Sequence, residues 1–349
     1  MAAEHEPVLA ESVARAGPRL RRRRIVRVVV LAVTAVSLYV VLPGLIRLFG
    51  DLPRLRSVFP AWFVPIFVLE ALAFGSIWEV QRIALGTKRW FDVAAAQLAG
   101  NALSRALPGG VATGGATQYE MLTQAGFEGT TVTTSLSAVG LLSIATLFTL
   151  PVLALPSLLF GLAVDSRLLR GAIIAGVLAV FVLSGASLLF FSDRVVRALG
   201  SAVDWLVGHI RRSPAEVHYE ATVLEARNFV RSALAGSWKR AVPAAYGNQL
   251  FDYGALAVSL FAVGARVDPV PVLLAYVLAS VLAMIPLTPG GLGFVEAGLT
   301  GVLTLAGVPA DQAVLGVLLY RLFSYWLPLP AGAIAYALAA RRRRLQPAR

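Results

Sequence analysis

Apolar runs long enough to cross a bilayer recur along this chain, at about 26–49, 61–83, 130–155, 171–191, 242–265 and 312–340. Crossing roughly 30 Å of hydrocarbon takes about 20 helical residues, so each run predicts a membrane-spanning helix. Composition agrees: 58% of the 349 residues are apolar and 14% are charged, against roughly a quarter charged in soluble domains. An ordinary soluble globule, a disordered chain and a fibrous repeat are excluded. Arg21–Arg24 ahead of the first run resembles the basic region of a signal peptide. That run is too long, however, and no small-x-small cleavage site follows, so a retained anchor is expected. Cysteine is absent, which removes disulfides, thiolate nucleophiles and cysteine-ligated metal. His5, His209 and His218 lie in polar segments, so no intramembrane histidine–metal site is expected, nor any cofactor.

Lys and Arg set the orientation. Residues 1–27 carry seven, 82–105 four, 192–241 eight and the tail after the last run five, together 24. The alternate segments 47–60, 155–170 and 266–270 carry three, two and one, together six, and Arg321 lies inside a run. This bias places both termini in the cytoplasm. It predicts a basic tail at 1–24, one transmembrane domain at 25–340 and a second basic tail at 341–349. A cytoplasmic loop at about 192–240 mixes Trp205, Leu206 and Phe229 with several Arg, as amphipathic helices on a membrane surface do.

Two further apolar stretches, about 91–126 and 270–307, are broken near their middles by Pro and Gly. Shifted by 181 residues, 101–127 aligns without gaps to 282–308, with nine of 27 positions identical. Pro108-Gly109-Gly110 falls on Pro289-Gly290-Gly291, Leu122-Thr123 on Leu303-Thr304, and Ala125-Gly126 on Ala306-Gly307. The same shift carries the run at 61 onto the one at 242. Charge bias orients those two runs oppositely, so about 61–155 and 242–335 form an inverted repeat. Pro cannot donate a backbone hydrogen bond and Gly tolerates φ above zero, so an apolar helix stops at each break. Open backbone at membrane depth needs burial in protein or a wet cavity. The expected fold is an all-α polytopic membrane protein. It has about six full spans plus two re-entrant helical hairpins whose tips meet near the midplane, or eight spans if the hairpins cross. Inverted repeats with paired broken helices mark transport sites.

Ionisable groups at spanning depth cost roughly 2.5–3.5 kcal/mol each on the insertion scale. Glu70, Glu79, Asp252, Glu296 and Arg321 lie in apolar segments, and Arg105 and Glu120 flank the first break. Glu79 is read as interfacial. Glu70 and Asp252 are candidates for proton coupling or for structural hydrogen bonding. Arg321 cannot readily lose its charge, and Glu296 is the nearest acid in the same repeat. The helices bearing them are joined by a few residues around Pro309. Their depths match, so the pair is expected to face one polar cavity. The glycine-rich Gly290–Gly293 is read as part of an apolar helix, not as a dinucleotide loop. No nucleophile elbow, HExxH, P-loop or dinucleotide motif occurs, so an enzyme is not expected. The basic flanks read as membrane orientation, with no nucleic-acid partner.

The segment Pro286-Leu287-Thr288-Pro289-Gly290-Gly291-Leu292-Gly293-Phe294-Val295-Glu296 resembles the lysylphosphatidylglycerol synthase transmembrane-region family of flippase-like membrane proteins. The resemblance continues through Gly307-Val308, Ala313, Leu319-Tyr320-Arg321, Tyr325-Trp326, Pro328 and Gly332. It extends in register over about 60–155, through Asn101, Pro108 and Gly115. It implies a multi-pass protein of the bacterial plasma membrane that moves a phospholipid or lipid-linked anion. Its partners would be anionic or phosphate-bearing lipids, with no soluble aminoacyl-transferase domain attached. The candidate substrate-binding residues are Arg321, Glu296, Pro289, Gly290, Gly291, Pro108, Gly109, Gly110, Asn101, Asp252 and Tyr320. A polar-solute or ion transporter, a membrane-embedded lipid-modifying transferase and an accessory subunit of envelope assembly remain as alternatives.

Overall fold

The computed structural model describes residues 58–107, 110–154, 236–266, 268–284 and 289–345. The runs expected at 26–49 and 171–191, both tail ends, most of the basic loop, and Pro108 and Gly109 lie outside the described residues. Among those described, every regular element is helical: α1 (Phe63–Ala84), α2 (Trp90–Ala106), α3 (Gly110–Gln124), α4 (Gly129–Thr149), α5 (Trp238–Ala262), α6 (Pro269–Ala283), α7 (Phe294–Leu305), α8 (Ala310–Arg321) and α9 (Pro328–Leu345). A π-helical turn, Leu322–Trp326, joins α8 to α9.

Among the described residues, three stretches are both long and apolar enough to cross a membrane: Pro60–Ala84, Gly129–Val152 and Ala310–Leu345. α5 matches them in length but carries Asn248, Gln249 and Asp252, whose partners lie inside the bundle. α1 shows how the sequence suits lipid. Val64, Phe67, Val68 and Leu72 form an exposed stripe at the spacing of one helix face. The opposite stripe, Ile66, Glu70, Ala73, Val80, Gln81 and Ala84, is buried. Polar groups point inward and apolar groups outward, the reverse of a helix facing water. Inside, Gln97 donates to Gln81 at 3.2 Å and Gln81 to Ser135 at 2.9 Å, which ties α1, α2 and α4 together through satisfied polar groups.

α1 and α5 pack antiparallel. Leu69 meets Gly254, Asn248 donates to the Ala73 carbonyl at 2.9 Å, and Arg240 pairs with Glu79 at 2.8 Å. Rising numbers on one helix thus meet falling numbers on the other. Cations gather at that last end: Arg82 lies over Trp90, Arg89 over Phe127 and Arg342 over Phe91, each at about 5 Å. Exposed Trp90, Phe91 and Trp238 stand there as well, as aromatic side chains do at a membrane–water boundary.

The α2–α3 hairpin starts and finishes at this cationic end, since Arg89 donates to the Ala125 carbonyl at 2.9 Å. Its glycines let the two helices touch: Gly110 sits on the Ser104 carbonyl and Gly114 beside Gly100. The α6–α7 hairpin starts and finishes at the opposite end, where Ala265, Val272 and Val308 share a buried cluster with Val58. The four hairpin helices have 17, 15, 15 and 12 residues. At 1.5 Å per residue each is about 18–26 Å long, short of the roughly 30 Å hydrocarbon core. Ala310–Leu345, by contrast, runs for 36 residues. Its first part packs on α5 through Gly316 against Leu260, and its second on α2 through Gly332 against Leu98 and Ala102.

Candidate functional site

The second break is built by glycine. Pro289–Gly291 makes a single 3₁₀ turn in which Gly290 has φ 58° and Gly291 φ 71°, and Gly293 follows at φ 78°. These are left-handed values that cost other residues roughly 1–2 kcal/mol each. The expectation that Gly290–Gly293 belongs to an apolar helix is therefore corrected: its three left-handed glycines lie in the break between α6 and α7. Glu296 is the third residue of α7. Its Oε2 accepts the Gly293 N–H at 2.7 Å, which caps the helix, and its Oε1 accepts from Arg321 Nε at 2.7 Å. Arg321 Nη2 also reaches the Gly290 carbonyl at 3.4 Å. One carboxylate thus holds a helix N-terminus and an arginine together, with both side chains mostly enclosed, 20% and 11% exposed.

The π-helical turn beside this pair has too few donors. Pro328 carries no N–H, so the Ser324 carbonyl lacks its i+4 donor from α9. Arg105, at the end of α2, supplies one: its Nη1 donates to the Ser324 carbonyl and, at 3.2 Å, to that of Tyr325. Tyr325 answers by donating its hydroxyl to the Arg105 carbonyl at 3.1 Å. The guanidiniums of Arg105 and Arg321 both lie over the Tyr325 ring, at 5.2 and 4.5 Å from its centre. A Cβ on Gly290 would stand 2.9 Å from the Arg105 carbonyl oxygen and closer still to the Tyr325 hydroxyl. The two hairpin tips therefore meet here. Among the described residues no carboxylate lies within ion-pair distance of Arg105.

A second polar cluster adjoins the first. Asp252 accepts from Tyr320 through Oδ1 and from Tyr276 through Oδ2, each at 2.8 Å, and Tyr276 also lies 2.8 Å from Gln249. Tyr320 precedes Arg321, so one turn of α8 serves both clusters, Tyr320 toward α5 and Arg321 toward α7.

A family model for the lysylphosphatidylglycerol synthase TM region matches residues 24–332. The chain belongs to the lysylphosphatidylglycerol synthase TM-region family. It is an integral, multi-pass membrane protein. A UPF0104 membrane protein from Methanothermobacter thermautotrophicus is 33% identical over 89 residues, which cover 26% of this chain and 25% of that relative. The matched stretch thus spans a quarter of the relative's length.

Within this family member, the structure brings Arg321, Glu296, Gly290 and Gly291 into one contact network, with Pro289 opening the turn. Gly110 starts α3 against Ser104, while Pro108 and Gly109 lie outside the described residues. Asn101 sits one turn before Arg105 on α2, and its buried Oδ1 has no hydrogen-bond partner. Asp252 and Tyr320 form the neighbouring cluster. Sequence reasoning left Arg105 and Tyr325 out of the site. The cost of a membrane-embedded arginine was a signal for the first. The proline pair at 328 and 330, which strands carbonyls, was a signal for where that arginine would go.

Proposed function

We propose that this protein carries a phospholipid or other lipid-linked anion between the leaflets of the plasma membrane, with the anionic group held where the hairpin tips meet. The observation that supports the reading best is Glu296: the chain's own carboxylate occupies a helix N-terminus and an arginine at once. Those are the two donors a phosphate would use. A substrate phosphate displaces Glu296, takes Arg321 and the freed N–H, and draws further on the charge of Arg105. Glu296 returns when the substrate leaves, so the pair is a gate.

The antiparallel α1 and α5, and the two short hairpins that turn back from opposite ends, support an inverted repeat with re-entrant helices. The cationic end supports a cytoplasmic face that also bears both termini. No ATP-binding motif appears in the sequence, so movement is passive or coupled to an ion gradient, and the role is transport and not catalysis. The decisive comparison is Arg321→Met combined with Glu296→Gln in proteoliposomes carrying fluorescent phosphatidylglycerol. Removing both partners leaves no stranded charge, so the fold should persist. A gate predicts lost transport; transport at the wild-type rate would reduce the pair to a structural staple and refute the gate.

A further inference from the structure

Glu70, on α1, is 4% exposed, and its Oε1 has no hydrogen-bond partner. The contacts of Leu69 with Gly254 and of Ala73 with Asn248 set Glu70 level with Asp252 on α5. Asp252 has a tyrosine hydroxyl on each oxygen, whereas Glu70 has an oxygen with none. A buried carboxylate left short of partners is costly while it is charged and is relieved by taking up a proton. A proton on Glu70 leaves a neutral carbonyl oxygen as its unpartnered atom. That arrangement costs far less than an unpartnered charged oxygen. The surrounding charged and titratable groups are Asp252 from α5, Tyr276 from α6, Tyr320 and then Arg321 from α8, and Arg105 from α2. α4 carries no ionisable residue.

Resting on the anion-carrier reading, we propose that Glu70 and Asp252 form the proton-binding site of this protein, and that one proton travels with each substrate anion. When the Glu70 O–H bond breaks and the proton passes to water, the pair gains one negative charge. The added charge faces Arg105 and competes with the substrate for it, so proton and anion favour each other's binding, reciprocally. A singly charged phosphodiester and a proton then cross as a neutral load.

The test uses the full-length protein in phosphatidylcholine proteoliposomes with trace fluorescent phosphatidylglycerol and an imposed pH step. One-to-one coupling predicts that a one-unit step shifts the steady leaflet ratio by up to about tenfold, toward the alkaline side. Glu70→Gln with Asp252→Asn should lose that dependence on the step. Separately, infrared spectra of the protein in nanodiscs should show a protonated-carboxyl band that the Glu70→Gln variant lacks, a readout that needs no transport. A ratio unmoved by the step in the wild type overturns the coupling and leaves the lipid-carrier reading standing. A response kept in the double variant, a response to sodium in place of protons, or no such band in the wild type overturns the site. No lipid movement at all by the wild type removes the carrier reading and the coupling with it.

Discussion

Replacing Gly290 by Ala should cost more than the same change at Gly293, although both glycines are left-handed. The backbone strain is similar, roughly 1–2 kcal/mol for an L residue at either position. A Cβ on Gly293 meets nothing within 4 Å, whereas one on Gly290 would lie 2.7 Å from Tyr325 Cε2 and 2.9 Å from the Arg105 carbonyl. Tyr325 must move, losing its hydrogen bond to Arg105 and its stacking with two guanidiniums. Those interactions contribute about 0.5–1.5 kcal/mol and about 0.5–1 kcal/mol each. The expected loss is therefore about 3–5 kcal/mol at Gly290 against about 1–2 at Gly293. Unfolding midpoints of the purified variants in nanodiscs measure both. In a Tyr325→Ala background most of the excess at Gly290 should vanish, leaving only what the 2.9 Å approach to the Arg105 carbonyl costs. Equal losses for the two glycines, or an excess undiminished by Tyr325→Ala, would refute the account of how the breaks meet.

Arg105→Met should lower stability by about 1–3 kcal/mol, since it strands the Ser324 carbonyl; the unfolding midpoint reads this. Pro328→Ala in that background returns an N–H near the Ser324 carbonyl and should recover about 1 kcal/mol, while lipid transport stays impaired because the charge is still missing. Ile210→Cys, in a chain with no native cysteine, should resist an impermeant thiol reagent applied outside intact cells; labelling from outside would reverse the proposed orientation. Gln81→Leu should destabilise by about 1–3 kcal/mol, since it leaves Gln97 and Ser135 without their shared partner at a buried position.

Much of the fold was legible because the bilayer dictates helix length. The run expected at 61–83 is the helical stretch Pro60–Ala84, and that at 130–155 is Gly129–Val152. The broken stretches were legible through their Pro-Gly-Gly steps, where a residue without an N–H is followed by two that tolerate positive φ. The last run was harder. Nothing in the periodicity of 312–340 marks a π-helical turn at Leu322–Trp326, which arises where two nearby prolines leave the i−4 bonding pattern short of donors. The burial of the α5 polar residues was also illegible, since it depends on tyrosines more than 20 residues away in sequence.

The two arginines show why the site was half visible. The same cost argument applies to both, but Arg321 has an acid at matching depth across a short turn, and that local geometry yields the Glu296 pair at 2.7 Å. Arg105 has no acid so placed in sequence, and its carbonyl partners lie 219 and 220 residues away. Backbone carbonyls accept from its Nη1 without cancelling its charge, as a carboxylate would. In the proposed cycle this difference assigns the roles. Arg105 keeps a standing positive charge at the meeting of the tips, available to an arriving anion without displacing anything. Arg321 is neutralised until Glu296 lets go. An anion attracted by the first must compete for the second, and that competition makes binding and opening one event.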